Sequence, residues 1–360
     1  MKKISISLLM LLMAVVGTEA KDWKIGPSSV TGMDFASINA AMGSSEVKAG
    51  DVLYLDQYYN ENAEQTVTKK VTIIGTGYDE SFNDEQVVAR LTNSLTLKTN
   101  DVIVKSVRIQ GSVNFYSTDC VIDRCYISGN IKHQSTTAGM NHLYSCYITG
   151  RIEGYSSNNP SMQDIQNCVI VNNWTIGSEI HNIAYLTASV INNNIIVKSY
   201  GTRDYPQRDW YCLSGISNSQ ITNNMIYGYN SSHADYYNRD FTSDVVASGS
   251  GNTIEHNIFS GTDALTYYPS NKIRQRDNWN SFFVCSGNYS DYYKLATDSG
   301  DNPAVGYATD GGDIGCHGGM FGCPSGGRPQ YIPYFTKVTV GSRTEDGKLP
   351  VNVSIKIQDE

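Results

Sequence analysis

Charged side chains are scarce in this chain of 360 residues. Asp, Glu, Lys and Arg together make up 17% of the sequence, and the 35 acidic residues outnumber the 27 basic ones, which gives a formal net charge of −8. An acidic surface argues against nucleic acid and anionic membranes as general partners. The hydrophobic fraction of 40% still supports a core, so the chain is not expected to be disordered.

Long apolar runs are missing beyond the N-terminus. The segment 4–16 is rich in apolar residues, follows two lysines and ends at the small-residue site Thr18-Glu19-Ala20. This arrangement is typical of a signal peptide over residues 1–20. No other segment approaches the ~20 apolar residues of a membrane-spanning helix. We therefore expect a secreted or periplasmic protein without a membrane span.

A six-residue phrase recurs along the chain, and repeats of this kind carry the first information about a fold. Each copy has large apolar residues at its first and last positions, and most copies have Cys or Asn at the fourth. Ile122-Asp123-Arg124-Cys125-Tyr126-Ile127 is a full copy. The copies begin at residues 104, 122, 143, 165, 191, 221 and 254.

The spacing within the phrase indicates a corner in the backbone. Side chains of a straight strand share a face at every second position, so the first and fourth positions point inward together only if the chain turns between them. Three short strands in each coil, stacked in parallel on their copies, predict an all-β fold, the right-handed parallel β-helix. A third inward position follows four residues after the phrase, at Val113, Ile131, Ile152 and Trp174.

The fourth position of the phrase predicts a ladder of stacked side chains. Coils about 4.8 Å apart allow asparagine amides to hydrogen-bond along the ladder. The stacked cysteines are expected to be buried free thiols rather than a redox or metal site. The ladder consists of Val107, Cys125, Cys146, Cys168, Asn194, Asn224 and Asn257.

Cys316 and Cys323 lie at the two ends of a short glycine-rich segment. A disulfide between them is left open by the sequence. A zinc site is less favoured, because these cysteines and His317 supply only three of the usual four ligands.

The two ends of the repeat carry different patterns. Apolar residues at helical spacing over 34–42, with Asp34 as the N-cap, predict a short helix that covers the first coil. Two alternating runs, 335–340 and 351–357, predict a β-hairpin in the C-terminal extension 329–360, packed on the solenoid. The β-helix domain is therefore placed at residues 21–328.

Insertions separate the later copies of the phrase, and the intervals between copies grow from 18 to 33 residues. The insertions follow the phrase, so they are expected to leave one flank of the solenoid together and to form a binding face. Their aromatic, Arg and Asp side chains suit a polysaccharide or other glycan, or they simply pack the loops together. The expected substrate-binding residues are Arg203, Asp204, Tyr205, Arg208, Trp210, Tyr236, Arg274, Arg276 and Trp279.

The same insertions contain the groups that polysaccharide cleavage needs. A lyase requires a base and a cation that stabilises the developing enolate, whereas a glycoside hydrolase requires two carboxylates. The expected catalytic residues are Asp209, His233, Asp235 and Arg239. No metal site is predicted, no cofactor is implied, a calcium requirement is left open, and the protein is expected to be a monomer.

The segment Val71-Thr72-Ile73-Ile74-Gly75-Thr76-Gly77, the Ile-x-x-Asn-x-Ile phrase and the tail from Gly312-Asp313-Ile314-Gly315 resemble those of secreted β-helix proteins. These proteins form the pectate-lyase-like superfamily, and the tail resembles its members from Bacteroidetes. The resemblance implies the fold and little more, because the superfamily contains lyases, hydrolases, epimerases and non-catalytic proteins. Its catalytic signatures do not match here. Two functions stay open: a protein that binds or processes polysaccharide, and a non-catalytic surface scaffold or adhesin-like protein.

Overall fold

The protein is a right-handed parallel β-helix, as the repeat predicts. The computed structural model describes residues 20–79, 87–173, 181–199, 212–228, 250–259, 270–273, 295–296, 302–322, 327, 334–340 and 351–356. Their strands form three all-parallel sheets of ten, ten and seven strands, and successive strands in a coil enter sheets 1, 2 and 3 in turn.

The strands are short, with two to five residues in each of the three sheets. Sheet 1 contains β1 (Asp22–Ile25), β2 (Val52–Leu55), β5 (Thr72–Ile74), β8 (Ile103–Lys105), β11 (Val121–Asp123), β14 (Met140–Tyr144), β17 (Met162–Gln166), β20 (Val190–Asn192), β23 (Gln220–Thr222) and β25 (Thr253–Glu255). Sheet 2 contains β3 (Asn60–Glu61), β6 (Arg90–Leu91), β9 (Arg108–Ile109), β12 (Tyr126–Ile127), β15 (Tyr147–Ile148), β18 (Val169–Asn173), β21 (Ile195–Ser199), β24 (Met225–Gly228), β26 (Ile258–Phe259) and β27 (Lys272–Ile273). Sheet 3 contains β4 (Gln65–Val67), β7 (Leu95–Leu97), β10 (Val113–Phe115), β13 (Ile131–His133), β16 (Ile152–Glu153), β19 (Ile183–Thr187) and β22 (Leu213–Ser217).

Inward side chains stack in rows because equivalent residues pair in register. Ile122 pairs with Val104 in the preceding coil and with Leu143 in the following coil, and all three side chains are fully buried. Such rows from all three sheets join in one core. Burial of each large aliphatic side chain contributes about 1.5–3 kcal/mol, so this core is the main source of stability.

The corner between sheets 1 and 2 is made by one residue in the left-handed conformation. This residue is the third of each phrase, and its φ lies between 51° and 60° in every described coil from 106 to 256. A residue in this region reverses the strand's alternation, so that the fourth position also points inward. The residues are Ser106, Arg124, Ser145, Asn167, Asn193, Asn223 and His256.

The predicted asparagine ladder is confirmed. Asn194 Nδ2 donates to Asn224 Oδ1 at 3.0 Å, and Asn224 Nδ2 donates to Asn257 Oδ1 at 2.9 Å. Asn271 extends the ladder by one rung, since it accepts from Asn257 Nδ2 at 3.0 Å. The same oxygens also accept backbone N–H groups from the coil before. All four side chains are buried, so the ladder satisfies polar groups that water does not reach.

The cysteine part of the ladder is also as predicted. Cys125, Cys146 and Cys168 are free and buried. The Cys168 thiol donates to Leu143 O at 3.4 Å, and the Cys146 thiol donates to Ile122 O at 3.4 Å. Burial raises the pKa of the Cys125 and Cys168 thiols well above its usual range. These groups therefore stay protonated and act as small core side chains.

A second ladder, at the corner between sheets 3 and 1, was not predicted. Gln163 N donates to Ser189 Oγ at 2.9 Å, Ser189 N donates to Ser219 Oγ at 3.0 Å, and Ser219 N donates to Asn252 Oδ1 at 3.0 Å. The acceptors are two serines and one asparagine. The residue type at this corner therefore changes along the ladder, although the hydrogen bonds repeat.

His133 lies inside the coils and gives the fold a dependence on pH. Its ring is 6% exposed and packs 5.3 Å from the Phe115 ring centroid. Burial lowers the pKa of His133 from 6.5 to about 4. Because the unfolded chain binds this proton more readily, we expect the free energy of unfolding to be highest above pH 6.5 and to fall by about 3 kcal/mol towards pH 4. Denaturant unfolding across this pH range measures the loss.

The matched variants for this pH effect are His133→Gln and His142→Gln. His133→Gln is expected to flatten the decrease between pH 6.5 and 4, because it removes the titrating group and keeps a polar side chain beside Gln163. His142→Gln, at a partly exposed position on sheet 1, is expected to retain the decrease. An unchanged slope in His133→Gln would contradict this origin of the pH dependence.

The N-terminal helix α1 (Ile38–Gly43) begins later than predicted. Its N-cap is Ser37, whose side chain accepts from Ala40 N, so the assignment of Asp34 as N-cap is wrong. Asp34 instead accepts from Lys24 N at 2.8 Å, because residues 34–35 are still held beside β1. Asn39 N donates to Gln65 Oε1 at 3.0 Å, so α1 packs on the first strand of sheet 3 as a cap.

The third-strand position of one coil is filled by a residue other than the predicted one. The residue of sheet 3 that pairs with Ile152 is Ile183 and not Trp174. The reason is that an insertion already separates the second and third strands of this coil, so the four-residue spacing of the earlier coils no longer applies. Trp174 itself lies outside the described residues.

The predicted hairpin is present as an antiparallel pair, β28 (Tyr334–Val340) and β29 (Val351–Lys356). How the pair packs on the solenoid lies outside what the structure describes. Among the described residues there is no helix of the length and apolarity that a membrane crossing needs.

The segment 302–322, which we name the strap, runs back along the corner between sheets 1 and 2. Asn223 Nδ2 donates to Thr309 Oγ1 at 3.0 Å, and Thr309 N donates back to Asn223 Oδ1 at 2.9 Å. Asn193 and Asn167, in the two preceding coils, donate to carbonyl groups at 313–318. Ser145 Oγ contacts Gly322 O at 2.7 Å. The left-handed corner residues therefore bind the strap coil by coil.

The strap also covers the outer face of sheet 2 in the coils of β18, β21 and β24. Its buried Ile314 lies in one apolar cluster with the outward side chains Val169, Ile195 and Met225. Gly315 has φ +83°, and a Cβ there would lie 3.1 Å from Met225 Sδ, so glycine allows this close approach. Cys316 forms a disulfide whose partner lies outside the described residues, so the pairing with Cys323 stays open.

Candidate functional site

The outer face of sheet 3 carries a row of polar side chains that is aligned over five adjacent strands. In each strand the outward side chain belongs to the residue that follows the inward one. These outward side chains stack across adjacent strands because the strands pair in register. This row contains Thr66, Thr96, Asn114, Lys132 and Glu153. We name this surface the sheet 3 face.

Two tyrosines extend the sheet 3 face at the carboxyl ends of its strands. Tyr116 follows β10 and is 49% exposed, and Tyr155 follows β16 and is 46% exposed. Each comes two residues after a member of the outward row, so strand alternation directs both toward the same side. Lys98 Nζ lies 5.9 Å from the centroid of the Tyr116 ring. Two accessible aromatic rings therefore flank the charged part of the face.

The charged part is centred on Glu153. Arg151 Nη1 lies 3.2 Å from Glu153 Oε1, and His181 Nε2 lies 3.6 Å from the same oxygen. Lys132 occupies the paired position on the neighbouring strand. The contact with His181 lowers the pKa of Glu153 most, burial opposes it, and the charges of Arg151, His181 and Lys132 lower it further. Glu153 is therefore an ionised hydrogen-bond acceptor at neutral pH.

This arrangement suits binding more than acid–base cleavage. A carboxyl group with a lowered pKa is a poor general acid at neutral pH. Glu64, another carboxylate along this face, lies four strands from Glu153. That separation is about 19 Å at the usual strand spacing, beyond the roughly 5–9.5 Å between the two carboxylates of a glycosidase.

All residues predicted from the insertions lie outside the described residues, so the structure neither brings them together nor separates them. They are Arg203, Asp204, Tyr205, Arg208, Asp209, Trp210, His233, Asp235, Tyr236, Arg239, Arg274, Arg276 and Trp279. The place where the insertions leave the solenoid is described. Sheet 2 strands end at Asn173 and Ser199, and sheet 3 resumes at Ile183 and Leu213. The insertions after β18 and β21 therefore arise between sheets 2 and 3, in the coils that follow the sheet 3 face, whereas the insertion after β24 leaves sheet 2 and the next described strand is β25 of sheet 1.

The sheet 3 face was not predicted from the sequence. The prediction included the inward residue of each third strand but not the outward residue that follows it in the chain. The alternation that places Ile131 and Ile152 inside also places Lys132 and Glu153 outside, so the signal was present. The contact between Glu153 and His181 was not visible, because 28 residues and an insertion separate them in the sequence.

A polar cluster on sheet 1 is less suited to a ligand. Tyr144 Oη donates to Asp164 Oδ2 at 2.5 Å and lies 2.8 Å from His142 Nδ1. Burial and the bond to Asp164 raise the pKa of Tyr144 far above its usual range, so it is no nucleophile. The ring of Phe321, from the strap, stacks on Tyr144 at 4.0 Å. This cluster therefore helps to hold the strap.

Comparison with known proteins leaves the family open, because no protein-family model and no curated protein matches this sequence. Among the described residues, no group of three or more His, Cys, Asp or Glu side chains is placed to hold a metal ion.

Proposed function

We propose that this is an exported protein of the pectate-lyase-like type that binds an extended polysaccharide along the sheet 3 face. The observation that supports it is the alignment of two half-exposed tyrosines, Tyr116 and Tyr155, with the ionised Glu153 between polar and cationic neighbours. Aromatic rings stack on the CH faces of sugars, and charged or amide groups bind the hydroxyls.

The spacing of the tyrosines fits a glycan that runs parallel to the solenoid axis. Tyr116 and Tyr155 follow β10 and β16, which are separated by β13 alone. Two strand spacings amount to about 10 Å, close to the length of two sugar units in an extended chain. One sugar per coil then places successive hydroxyl groups beside Asn114, Lys132 and Glu153.

Cleavage of the glycan is the second candidate function, and the insertions favour it. The insertion that contains Asp209 lies between strands of sheets 2 and 3, and the next insertion, which contains His233, Asp235 and Arg239, follows β24 of sheet 2. A lyase needs one base and one cation, and these residues supply both types. In this proposal the sheet 3 face binds the polymer and the insertions act on it.

The discriminating experiment incubates the mature protein with a panel of acidic and neutral polysaccharides. Affinity electrophoresis reports binding, the absorbance of unsaturated products reports a lyase, and new reducing ends report a hydrolase. Binding without turnover supports the binding function. Retardation by none of the polysaccharides would refute the glycan proposal and favour an adhesin-like protein partner.

The tyrosine variants test where the glycan binds. Tyr116→Ala and Tyr155→Ala are each expected to weaken binding about fivefold, since an aromatic stacking contact contributes about 1 kcal/mol. Tyr58→Ala is the matched control, because Tyr58 is 41% exposed but lies outside sheet 3, before β3. Affinity electrophoresis with a retained polysaccharide gives the three affinities. Equal weakening by all three substitutions would place the ligand elsewhere.

A further inference from the structure

The N-terminal part of the corner between sheets 3 and 1 contains a lysine-lined pocket, remote from the corner that binds the strap. Residues 68–70 connect β4 to β5, Thr99 follows β7, and residues 45–49 follow α1. Together they line an open surface depression of about 460 Å³. Its lining includes Lys48, Lys69 and Lys70, with hydroxyl groups from Ser45, Thr68 and Thr99.

Lys69 is fixed in place by the backbone after α1. Its Nζ donates to Ser44 O at 2.5 Å and to Val47 O at 3.0 Å. An ammonium group has three N–H donors, so these two bonds leave one for a ligand. The side chain therefore offers a positioned charge with little rotamer freedom to lose on binding.

Lys70 and Lys48 are accessible at the same pocket. Lys70 Nζ pairs with Asp101 Oδ2 at 3.1 Å, and both side chains are about half exposed. Such an exposed pair is weak, so an incoming anion can compete with Asp101 for the ammonium. Lys48 is exposed, and its backbone N–H is held by Asp51 at 2.9 Å. Against these three cations stand the carboxylates of Asp101, the neighbouring exposed Glu46 and the buried Asp51.

The donor set indicates the class of ligand. Arginine matches a planar carboxylate with two parallel hydrogen bonds, whereas lysine binds phosphate-type groups as a point charge. Three ammonium groups and several hydroxyls around one depression therefore suit a multiply charged tetrahedral oxyanion. The chain as a whole carries a net charge of −8, so this local excess of lysine is not a general property of the surface.

We propose that the pocket of Lys48, Lys69 and Lys70 binds a phosphate or sulfate group. The site is separate from the sheet 3 face and does not depend on the glycan proposal. Lys69 anchors the anion, Lys70 exchanges Asp101 for it, and Lys48 closes the opposite side.

Isothermal titration calorimetry with inorganic phosphate and inorganic sulfate, at constant ionic strength, tests the proposal. We expect saturable binding of at least one of them at a single site and none of acetate. Lys48→Gln combined with Lys70→Gln is expected to weaken binding at least about tenfold, because it removes two charged hydrogen bonds. Lys69 is left intact because it also holds the chain after α1.

Lys24→Gln, at an exposed lysine of β1, is the matched control and is expected to leave the affinity unchanged. The proposal is overturned if neither oxyanion binds saturably, or if the double variant binds with the affinity of the unsubstituted protein. Glycerol 3-phosphate, a sulfated monosaccharide and vesicles with phosphatidylglycerol then identify the source of the group. Competition by either soluble ester supports a ligand in solution, and recruitment to vesicles that the double variant loses supports a lipid headgroup.

Discussion

Asn224→Ala is expected to lower the free energy of unfolding by about 4 kcal/mol, since each buried polar group left without a partner costs about 1–3 kcal/mol. Asn224 Oδ1 accepts from both Asn194 N and Asn194 Nδ2, at 2.9 and 3.0 Å. Its amide nitrogen donates to Ile191 O at 2.8 Å, to Thr222 O at 2.8 Å and to Asn257 Oδ1 at 2.9 Å. Alanine removes all of these bonds at a position that water does not reach. The midpoint of denaturant unfolding measures the loss.

The control for this prediction is Asn158→Ala, at an exposed asparagine of the same chain. A surface substitution of this kind is expected to change stability by no more than about 0.5 kcal/mol. If Asn224→Ala proves as stable as Asn158→Ala, the amide ladder does not contribute to the fold. A loss confined to the coils near residue 224, detected by hydrogen exchange, would agree with the coil-by-coil stability of solenoids.

Ile314→Asp is expected to detach the strap and to destabilise the protein by at least about 3 kcal/mol, because it places an unpaired charge in an apolar site. Ile314 is fully buried, and its cluster contains Ile195 and Met225 on the outer face of sheet 2. Without the strap this apolar face becomes accessible, and binding of a hydrophobic dye is expected to rise. Limited proteolysis is expected to cut the segment 302–322 faster than in the unsubstituted protein.

Met320→Asp tests the same segment without the buried contact, since Met320 is 86% exposed. It adds the same charge to the strap and is expected to leave stability, dye binding and proteolysis unchanged. If Met320→Asp and Ile314→Asp behave alike, the added charge and not the lost packing is the cause. If neither changes proteolysis, the strap is not held by the cluster.

The pattern that could be predicted from the sequence is the one that each coil repeats. Ile122, Leu143 and Ile165 recur at the same phrase position because each must point into one core, and Asn194, Asn224 and Asn257 recur because like amides bond along the axis. The left-handed corner residue was not predicted, because its residue type is not the same from coil to coil. Arg124, Ser145 and Asn167 share a backbone conformation and no side-chain chemistry.

The candidate site was predictable only in part. The alternation of single strands determines that Lys132 and Glu153 point outward, whereas the contact of Glu153 with His181 requires the register between β16 and β19. The lysine pocket is formed by three segments that are far apart in the sequence, and only Lys69 and Lys70 come from the same segment. Contacts of this kind depend on how many coils separate the segments. Because the insertions vary in length, the number of coils cannot be counted from the residue numbers.

The sequence by itself therefore determined the coil, its inward rows and its amide ladder, because these are local patterns that repeat at nearly every turn. Only the tertiary structure decided which outer faces stay accessible. The strap crosses successive coils from His256 to Ser145 and covers the outer face of sheet 2 in the coils of β18, β21 and β24, through hydrogen bonds and apolar contacts between residues far apart in the chain. The tyrosines of sheet 3 and the lysines of the corner come together for a related reason. A solenoid stacks its coils, and it thereby brings distant segments to within one strand spacing of each other.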